Sequence, residues 1–226
     1  MTETVVLIPA LNCGATIGAV VSGARRHVPE VLVVSDGSTD ATVAAATAAG
    51  ARVVTHDRTR GKGAALLTGM RALAEQGVRR VLTMDGDGQH LADEIPILLD
   101  AADARAGTLI IGARRWEEVT AAPIKLFGNR FANRWVEIAC GQTLPDTQSG
   151  FRIYPLRETL ALHPRARHFA FETEVLIRAV SAGIPIHSVP VRVYYPPIAE
   201  RTSHFRGVVD TVRIIFVVLG LIFRVW

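Results

Sequence analysis

Short apolar segments alternate with helical patterns through the first half of this 226-residue chain. Alternation of this kind is typical of βαβ units, which build a mostly parallel sheet covered by helices. The sequence predicts strands at 4–9, 30–35, 51–55, 78–84 and 108–112. It predicts the intervening helices near 15–27, 40–49, 63–76 and 92–105. We therefore expect an α/β fold with a mostly parallel central sheet flanked by helices.

The second half of the chain is less regular. Aromatic and aliphatic residues recur at helical spacing over 126–139, which predicts an amphipathic helix there. The pattern then predicts a loop, a helix, a strand and a final apolar helix, at 145–150, 170–182, 184–194 and 207–226. No segment is rich enough in Gly, Pro or Ser to separate domains. We expect one domain over 1–206, followed by the apolar C-terminal helix.

The final apolar helix carries a membrane-related signal. Its charge-free stretch runs from Ile214 to Phe223, between Arg213 and Arg224, and Trp226 ends the chain. A spanning helix needs about 20 apolar residues, so this stretch is too short to cross a bilayer. Arginine and tryptophan at its ends suit the headgroup level of a membrane surface. The alternative is a helix packed on the core or in a homodimer.

Composition excludes several classes of protein. Hydrophobic residues make up 49% of the chain and charged residues 20%, which is a globular composition. The net charge is +4, but all except two of the 25 basic residues are scattered arginines, the lysines being Lys62 and Lys125. Because no polybasic block occurs, we expect no nucleic-acid partner. The separated cysteines, Cys13 and Cys140, and the absence of a signal-peptide pattern predict a cytoplasmic protein.

The segment Leu-Thr-Met-Asp-Gly-Asp-Gly-Gln-His, residues 82–90, is the strongest chemical signal. Asp85 and Asp87 follow an apolar strand and lie two residues apart, so their side chains tend to point the same way. Unpaired charge there is costly, and we expect a divalent ion to neutralise it. Carboxylates and the amide oxygen of Gln89 are ligands that Mg²⁺ or Mn²⁺ prefers. Magnesium sites of this type also draw on substrate phosphates, so a phosphate-bearing ligand is expected.

Other loops give weaker signals. Gly61-Lys62-Gly63 lacks the spacing of a Walker phosphate loop. Asp36, in Asp-Gly-Ser-Thr-Asp after the second predicted strand, is placed to accept hydrogen bonds from a base or a ribose. The alternative for this loop is helix capping by Ser38 or Thr39.

These motifs, in this order, resemble family 2 glycosyltransferases. The resemblance rests on Ile-Pro-Ala-Leu-Asn at 8–12, Val-Ser-Asp-Gly-Ser-Thr-Asp at 34–40, Gly-Lys-Gly-Ala at 61–64 and Asp-Gly-Asp-Gly-Gln-His at 85–90. Asp-Thr-Gln-Ser-Gly-Phe-Arg at 146–152 is similar to a signature of dolichyl- and polyprenyl-phosphate sugar transferases. The resemblance covers about 1–206 and implies a GT-A-type nucleotide-diphosphosugar transferase fold.

The resemblance also implies residue roles. The nucleoside pocket would be lined by Pro9, Leu11, Val34 and Asp36. The metal would be held by Asp85, Asp87 and Gln89, and the rest of the nucleotide sugar would contact Lys62, Asp85, Gly86, Asp87, Arg114 and Arg130. A looser match implies that the acceptor meets Arg201, Ser203, His204 and Arg206, although a solvated loop is the alternative there.

The predicted reaction is a metal-dependent, inverting transfer of a hexose from a UDP- or GDP-sugar to polyprenyl phosphate at the cytoplasmic face of the membrane. A lipid phosphate is already anionic near neutral pH and needs orientation instead of a general base. The expected catalytic residues are Asp87, Asp146, Glu172 and Arg130. A hydroxyl-bearing lipid or glycan of the cell envelope is the alternative acceptor, and it would need a base such as Asp146, Glu172 or Glu174. A nucleotide-sugar-binding module is the non-enzyme alternative.

Overall fold

The computed structural model describes residues 3–115, 136–137, 141, 143–194 and 207–222. Its strands, numbered in chain order, are β1 (Thr4–Ala10), β2 (Val31–Ser35), β3 (Arg52–Thr55), β4 (Arg80–Thr83), β5 (Leu109–Arg114), β6 (Arg152–Pro155) and β7 (Ile186–Val191). The helices are α1 (Ile17–Arg25), α2 (Thr42–Ala48), α3 (Lys62–Glu75), α4 (Ile95–Asp103), α5 (Leu156–Ala161), α6 (Ala170–Ser181) and α7 (Gly207–Ile222). A 3₁₀ turn, Ala92–Glu94, leads into α4.

The strands form one sheet in the order β3-β2-β1-β4-β6-β5-β7. Every neighbouring pair is parallel except the two that involve β6, which runs antiparallel between β4 and β5. The prediction of a mostly parallel sheet is confirmed. Parallel strands place their carboxyl ends, and the loops that follow them, along one edge of the sheet.

An apolar core lies on each face of the sheet because both faces of its strands are covered by helices. Alternate residues of β1 supply the two cores, Val5 and Leu7 on one side and Val6 and Ile8 on the other. The first core contains residues from α3 and α6, and the second contains residues from α1 and α4. This packing fixes the sheet edge from which the polar loops emerge.

The sequence did not predict β6 and α5. Strand β6 has four residues, all buried, and begins with the charged Arg152, so it shows neither alternation nor an apolar run. The Arg152 guanidinium is satisfied by main-chain carbonyls, at 2.6 Å from Ser149, 2.7 Å from Thr147 and 2.9 Å from Glu172. A fully buried arginine therefore ties the loop at 147–149 to the first turn of α6.

The last helix shares the first core. Ile214, Val217 and Val218 are buried in the cluster that also holds Leu176 of α6, whereas 67% of Phe216 is exposed. Among the helices in the described part of the chain, none combines the length and apolar character that crossing a membrane requires. The amphipathic helix predicted at 126–139 lies outside the described residues, apart from 136–137.

Candidate active site

The loops that follow β1, β2 and β4 are joined at the carboxyl edge of the sheet. The Asn12 amide donates to Ser38 Oγ at 3.0 Å, and the Thr39 amide donates back to Asn12 Oδ1 at 2.9 Å. The Thr16 hydroxyl donates to the carbonyl of Gly86 at 2.6 Å. Hydrogen bonds therefore connect the three polar segments that stand out in the sequence.

Lys62, the first residue of α3, joins Asp85 to Glu172. Its Nζ lies 2.6 Å from Asp85 Oδ1 and 2.8 Å from Glu172 Oε1. Burial alone would lower the pKa of Lys62, but the two carboxylates outweigh burial and raise it. Burial likewise opposes ionisation of Asp85, yet the Lys62 ammonium lowers the pKa of that carboxyl. Asp85 thus has a lysine counter-ion, which the sequence pattern does not predict.

Asp87 has no ion pair among the described residues. Its Oδ1 accepts a hydrogen bond from the Gln89 amide at 3.0 Å, which closes the turn. Burial, and then the negative charge of Asp85, raise the pKa of Asp87 to about 6. A divalent cation would relieve the unfavourable environment of this carboxylate.

The residues at this turn fit a magnesium or manganese ion. Within the described segments, no three His, Cys, Asp or Glu side chains converge as a protein-only cage for a metal. A Mg²⁺ site with one or two carboxylates, completed by substrate phosphates, does not need such a cage. Asp87, Asp85 and the half-buried Gln89 supply hard oxygen donors on one turn. Metal binding by these three residues remains a prediction.

The side chain of His90 stabilises the turn at 85–90 through a hydrogen bond to the backbone. The amide of Asp85 donates to His90 Nδ1 at 3.0 Å, so the imidazole accepts with Nδ1 and carries its proton on Nε2. The ring stacks on Phe151 with centroids 5.1 Å apart. Burial lowers the pKa of His90 to about 4, which keeps the ring neutral. The same turn is linked to the chain after β7, because the Tyr194 amide donates to the carbonyl of Gln89 at 2.9 Å.

Two substitutions at His90 separate its two contacts. His90→Asn keeps an acceptor near the position of Nδ1, and His90→Phe keeps the ring stacking but removes the acceptor. We expect His90→Phe to lower kcat/KM by about tenfold, because an unsatisfied buried amide costs about 1–3 kcal/mol. His90→Asn should stay within a few-fold of the unaltered protein. Steady-state transfer kinetics check this, and full activity of His90→Phe would contradict it.

Arg114 and Asp146 form a two-point ion pair. Arg114 Nε lies 2.6 Å from Asp146 Oδ2, and Nη2 lies 2.8 Å from Oδ1. The Asp146 side chain is fully buried, and the positive charge of Arg114 contributes to lowering the pKa of Asp85. The pair therefore lies near the turn at 85–90. The family resemblance implies a phosphate contact for Arg114, and Asp146 is predicted to be catalytic, but the sequence does not predict that the two bind each other.

Asp36 holds the loop that leads to Lys62. Its carboxylate accepts from the amides of Arg60 at 2.9 Å and Gly61 at 2.7 Å, and it lies 2.7 Å from His56 Nδ1. His56 Nε2 in turn lies 3.0 Å from Thr68 Oγ1. Neither His56 nor Thr68 was singled out from the sequence, because they lie on separate elements that only the fold brings together. Base recognition by Asp36 remains a prediction.

The other residues predicted to line the nucleoside pocket differ in how deeply they are buried. Pro9 and Leu11 are half-buried at the end of β1, where they can meet a ligand. Val34 is fully buried in the first core, so its side chain does not line an open pocket, and that prediction is wrong. Residues on a strand alternate between faces, and Val34 falls on the face that packs against α3.

Glu174 was a third candidate base for a hydroxyl acceptor. Glu174 braces the segment before α6, since its Oε2 accepts from the amides of Arg165 at 2.8 Å and Ala166 at 2.7 Å. Its Oε1 pairs with Arg178 Nε at 2.7 Å, so both oxygens have structural partners. Five of the predicted site residues lie outside the part of the chain that the structure describes. These are the donor-binding residue Arg130 and the acceptor residues Arg201, Ser203, His204 and Arg206.

Comparison with known proteins identifies the family that the sequence motifs resemble. The family model described as glycosyl transferase family 2 matches residues 5–171. Polyprenol monophosphomannose synthase from Mycolicibacterium smegmatis is 32% identical over 203 residues, which cover 84% of this chain and 76% of that protein. Glycosyltransferase AglJ from Haloferax volcanii is 33% identical over 84% of this chain and 62% of its own length. The resemblance inferred from the motifs is confirmed.

Solved structures support the fold. Glucosyl-3-phosphoglycerate synthase from Mycobacterium tuberculosis, crystallised with UDP, superposes with a TM-score of 0.78 at 24% identity. The match covers 98% of this chain and 80% of that one. A complex of the same enzyme with Mn²⁺, UDP and phosphoglyceric acid gives a TM-score of 0.77 at 23% identity. These likenesses confirm the predicted GT-A-type fold.

Proposed function

Because the chain belongs to glycosyl transferase family 2, we propose that it transfers a hexose from a UDP- or GDP-sugar to a polyprenyl phosphate. The observation that carries this proposal is the turn at 85–90. It places two carboxylates at the carboxyl edge of a parallel sheet, where α/β folds bind their ligands. Relatives named as a polyprenol monophosphomannose synthase and an undecaprenyl-phosphate mannosyltransferase support the choice of acceptor.

Asp85, Asp87 and Gln89 would hold Mg²⁺ or Mn²⁺ against the donor's diphosphate. When bound, the ion stabilises the negative charge that develops on the leaving nucleoside diphosphate. Asp87 is the principal ligand in this proposal, because its carboxylate is not shared with a lysine. Pro9 and Leu11 would contact the nucleoside at the end of β1, and Arg130 would add a positive charge to the phosphates.

The partners of the two candidate bases support the choice of acceptor. Asp146 is held by Arg114 and Glu172 by Lys62, at 2.6 and 2.8 Å. Each of these carboxylates already contacts a basic side chain of the protein, so neither is free to meet the hydroxyl of an acceptor. This arrangement favours an acceptor that arrives already ionised, such as a lipid phosphate. Its oxygen would attack the anomeric carbon opposite the leaving group, with inversion, and Arg201, Ser203, His204 and Arg206 would orient it.

A lipid acceptor requires contact with a membrane surface. The exposed Phe216 lies on the apolar helix α7, which fits a helix that touches the lipid headgroup region at the inner face of the membrane. A homodimer through the same helix is the alternative to be tested. Sedimentation of the protein with anionic vesicles, compared with its Phe216→Ser variant, distinguishes the two, because a dimer forms without lipid.

The direct test uses purified protein, Mn²⁺, a panel of UDP- and GDP-sugars, and polyprenyl phosphate in detergent. We expect one donor to yield a lipid-linked sugar that mild acid releases. A sugar transferred only to polyprenol or to a glycan would replace the phosphate acceptor with a hydroxyl one. If no donor sugar is consumed with any acceptor while nucleotide still binds, the protein is a binding module and the proposal fails.

A further inference from the structure

The Gly61-Lys62-Gly63 segment packs inside the protein instead of opening towards a ligand. A Cβ on Gly61 would lie 2.3 Å from the carbonyl oxygen of Arg167, and one on Gly63 would lie 2.5 Å from that of Ala166. The Ala64 amide also donates to the Arg167 carbonyl at 3.0 Å. The two glycines therefore let the backbone before α6 close onto the start of α3. Lys62 is the side chain that this joint directs towards the site.

The end of the Lys62 side chain is enclosed. Asp85 and Glu172 contact Nζ, and the ring centroid of Phe169 lies 5.5 Å away. The Gly150 backbone covers the remaining side, since a Cβ there would lie 2.8 Å from Nζ and 3.1 Å from Asp85 Oδ2. Only 14% of the Lys62 side chain is exposed. Its ammonium is thus fixed by partners that belong to the protein.

The choice of lysine is itself informative. This chain uses arginine for all except two of its 25 basic residues, and one of the two lysines stands at 62. An ammonium is compact and donates in three directions, whereas a guanidinium is a broad planar fork. A larger head group would collide with the Gly150 backbone or push Asp85 away. The site therefore requires a small cation between two carboxylates.

We infer that Lys62 is a positioning residue that fixes the carboxylate of Asp85, and that it acts through Asp85 without contacting the donor's phosphates. This inference rests on the proposed function and replaces the prediction that Lys62 binds the nucleotide sugar directly. One oxygen of Asp85 is occupied by the ammonium, so the carboxylate keeps one orientation at the carboxyl edge of the sheet. Glu172 holds the other side of the ammonium, and Arg152 fixes the main chain of Glu172.

A double-mutant cycle tests the inference by calorimetric binding of UDP and of GDP in the presence of Mn²⁺. Lys62→Met and Asp85→Asn are measured singly and together. We expect Lys62→Met alone to weaken binding about tenfold, but to change it less than about twofold when Asp85 is already Asn, because effects that pass through one partner are not additive. An equal loss in both backgrounds would mean that Lys62 contacts the nucleotide itself, and would overturn the inference.

Three further variants sharpen the result. Lys62→Arg keeps the charge and should still weaken binding, whereas Arg71→Lys, on the exposed face of α3, should leave it unchanged. If Lys62→Met alone does not fold, the double variant Lys62→Met/Glu172→Gln takes its place, because it removes one positive and one negative charge together. We expect this charge-balanced variant to bind the nucleotide weakly, and adding Asp85→Asn to it should not weaken binding further. Full binding by Lys62→Arg or by the charge-balanced variant overturns the inference.

The outcomes for the two proposals are distinct. If the unaltered protein binds neither UDP nor GDP in the presence of Mn²⁺, the proposed function fails, and the inference fails with it. If the unaltered protein binds one of them and the Lys62 effect persists in the Asp85→Asn background, only the inference fails.

Discussion

Asp87→Ala is expected to lower kcat/KM for sugar transfer by about 10³-fold or more, the largest loss for any single side chain described at the site. A bound divalent ion contributes several kcal/mol of charge stabilisation in a transition state, and about 4 kcal/mol corresponds to this factor. Asp87 has no counter-ion among the described residues, so its carboxylate is the one most available to a metal. The same variant should lose the Mn²⁺-dependent thermal stabilisation that a nucleotide sugar gives the unaltered protein.

The matched control is Asp100→Ala, which removes an exposed carboxylate from α4. It should retain both activity and donor-dependent stabilisation. Asp85→Asn should fall between the two, because Asp85 shares its charge with Lys62. Unchanged stabilisation by nucleotide sugar and Mn²⁺ in Asp87→Ala would show that the metal is held elsewhere.

The elements of the fold that could be predicted are those with a repeating local pattern. Strands β1 to β5 and helices α1 to α4 each carry an apolar run or a helical stripe, and their observed bounds differ from the predicted ones by a few residues at most. Strand β6 could not be found in this way. Its pairing with β4 and β5 is antiparallel and non-local, and its first residue is an arginine whose charge is satisfied only in three dimensions.

The site was predictable in its location but not in its pairing. Strand ends and motif order predicted that Asp85, Asp87 and Gln89 lie at the carboxyl edge of the sheet, and the structure places them there. The Lys62–Asp85 and Lys62–Glu172 contacts join residues separated by 23 and 110 positions in sequence, so no local spacing predicts them. The Arg114–Asp146 pair is hidden for the same reason. Charges on different elements reveal their partners only when packing distances are known.

Val34 illustrates a different limit. Its position at the start of a family motif suggested a ligand contact, whereas the strand period alone could not say which face the helix α3 would cover. The motif marks the loop that follows β2, and the side chains before that loop belong to the core. Motif membership therefore predicts the location of a residue better than the direction of its side chain.

Gly61→Ala is expected to give the largest loss of stability, about 3 kcal/mol or more. Gly61 has φ 102° and ψ 156°, a region that is essentially restricted to glycine and costs about 1–3 kcal/mol for other residues. The added methyl would also lie 2.3 Å from the Arg167 carbonyl and 2.4 Å from His168 Nδ1, and overpacking of this kind costs about 1–3 kcal/mol. Thermal unfolding should show a fall in Tm of about 10 °C for a chain of this size.

Gly77→Ala separates backbone strain from the clash, because Gly77 has φ 75° and a Cβ added there would meet no atom within 4 Å. It should cost only about 1 kcal/mol, the penalty for a left-handed residue. The difference between the two variants measures how tightly the segment before α6 closes onto Lys62. Equal losses of stability would mean that this closure is loose, and the Lys62 ammonium would then lack the rigid enclosure that positions Asp85.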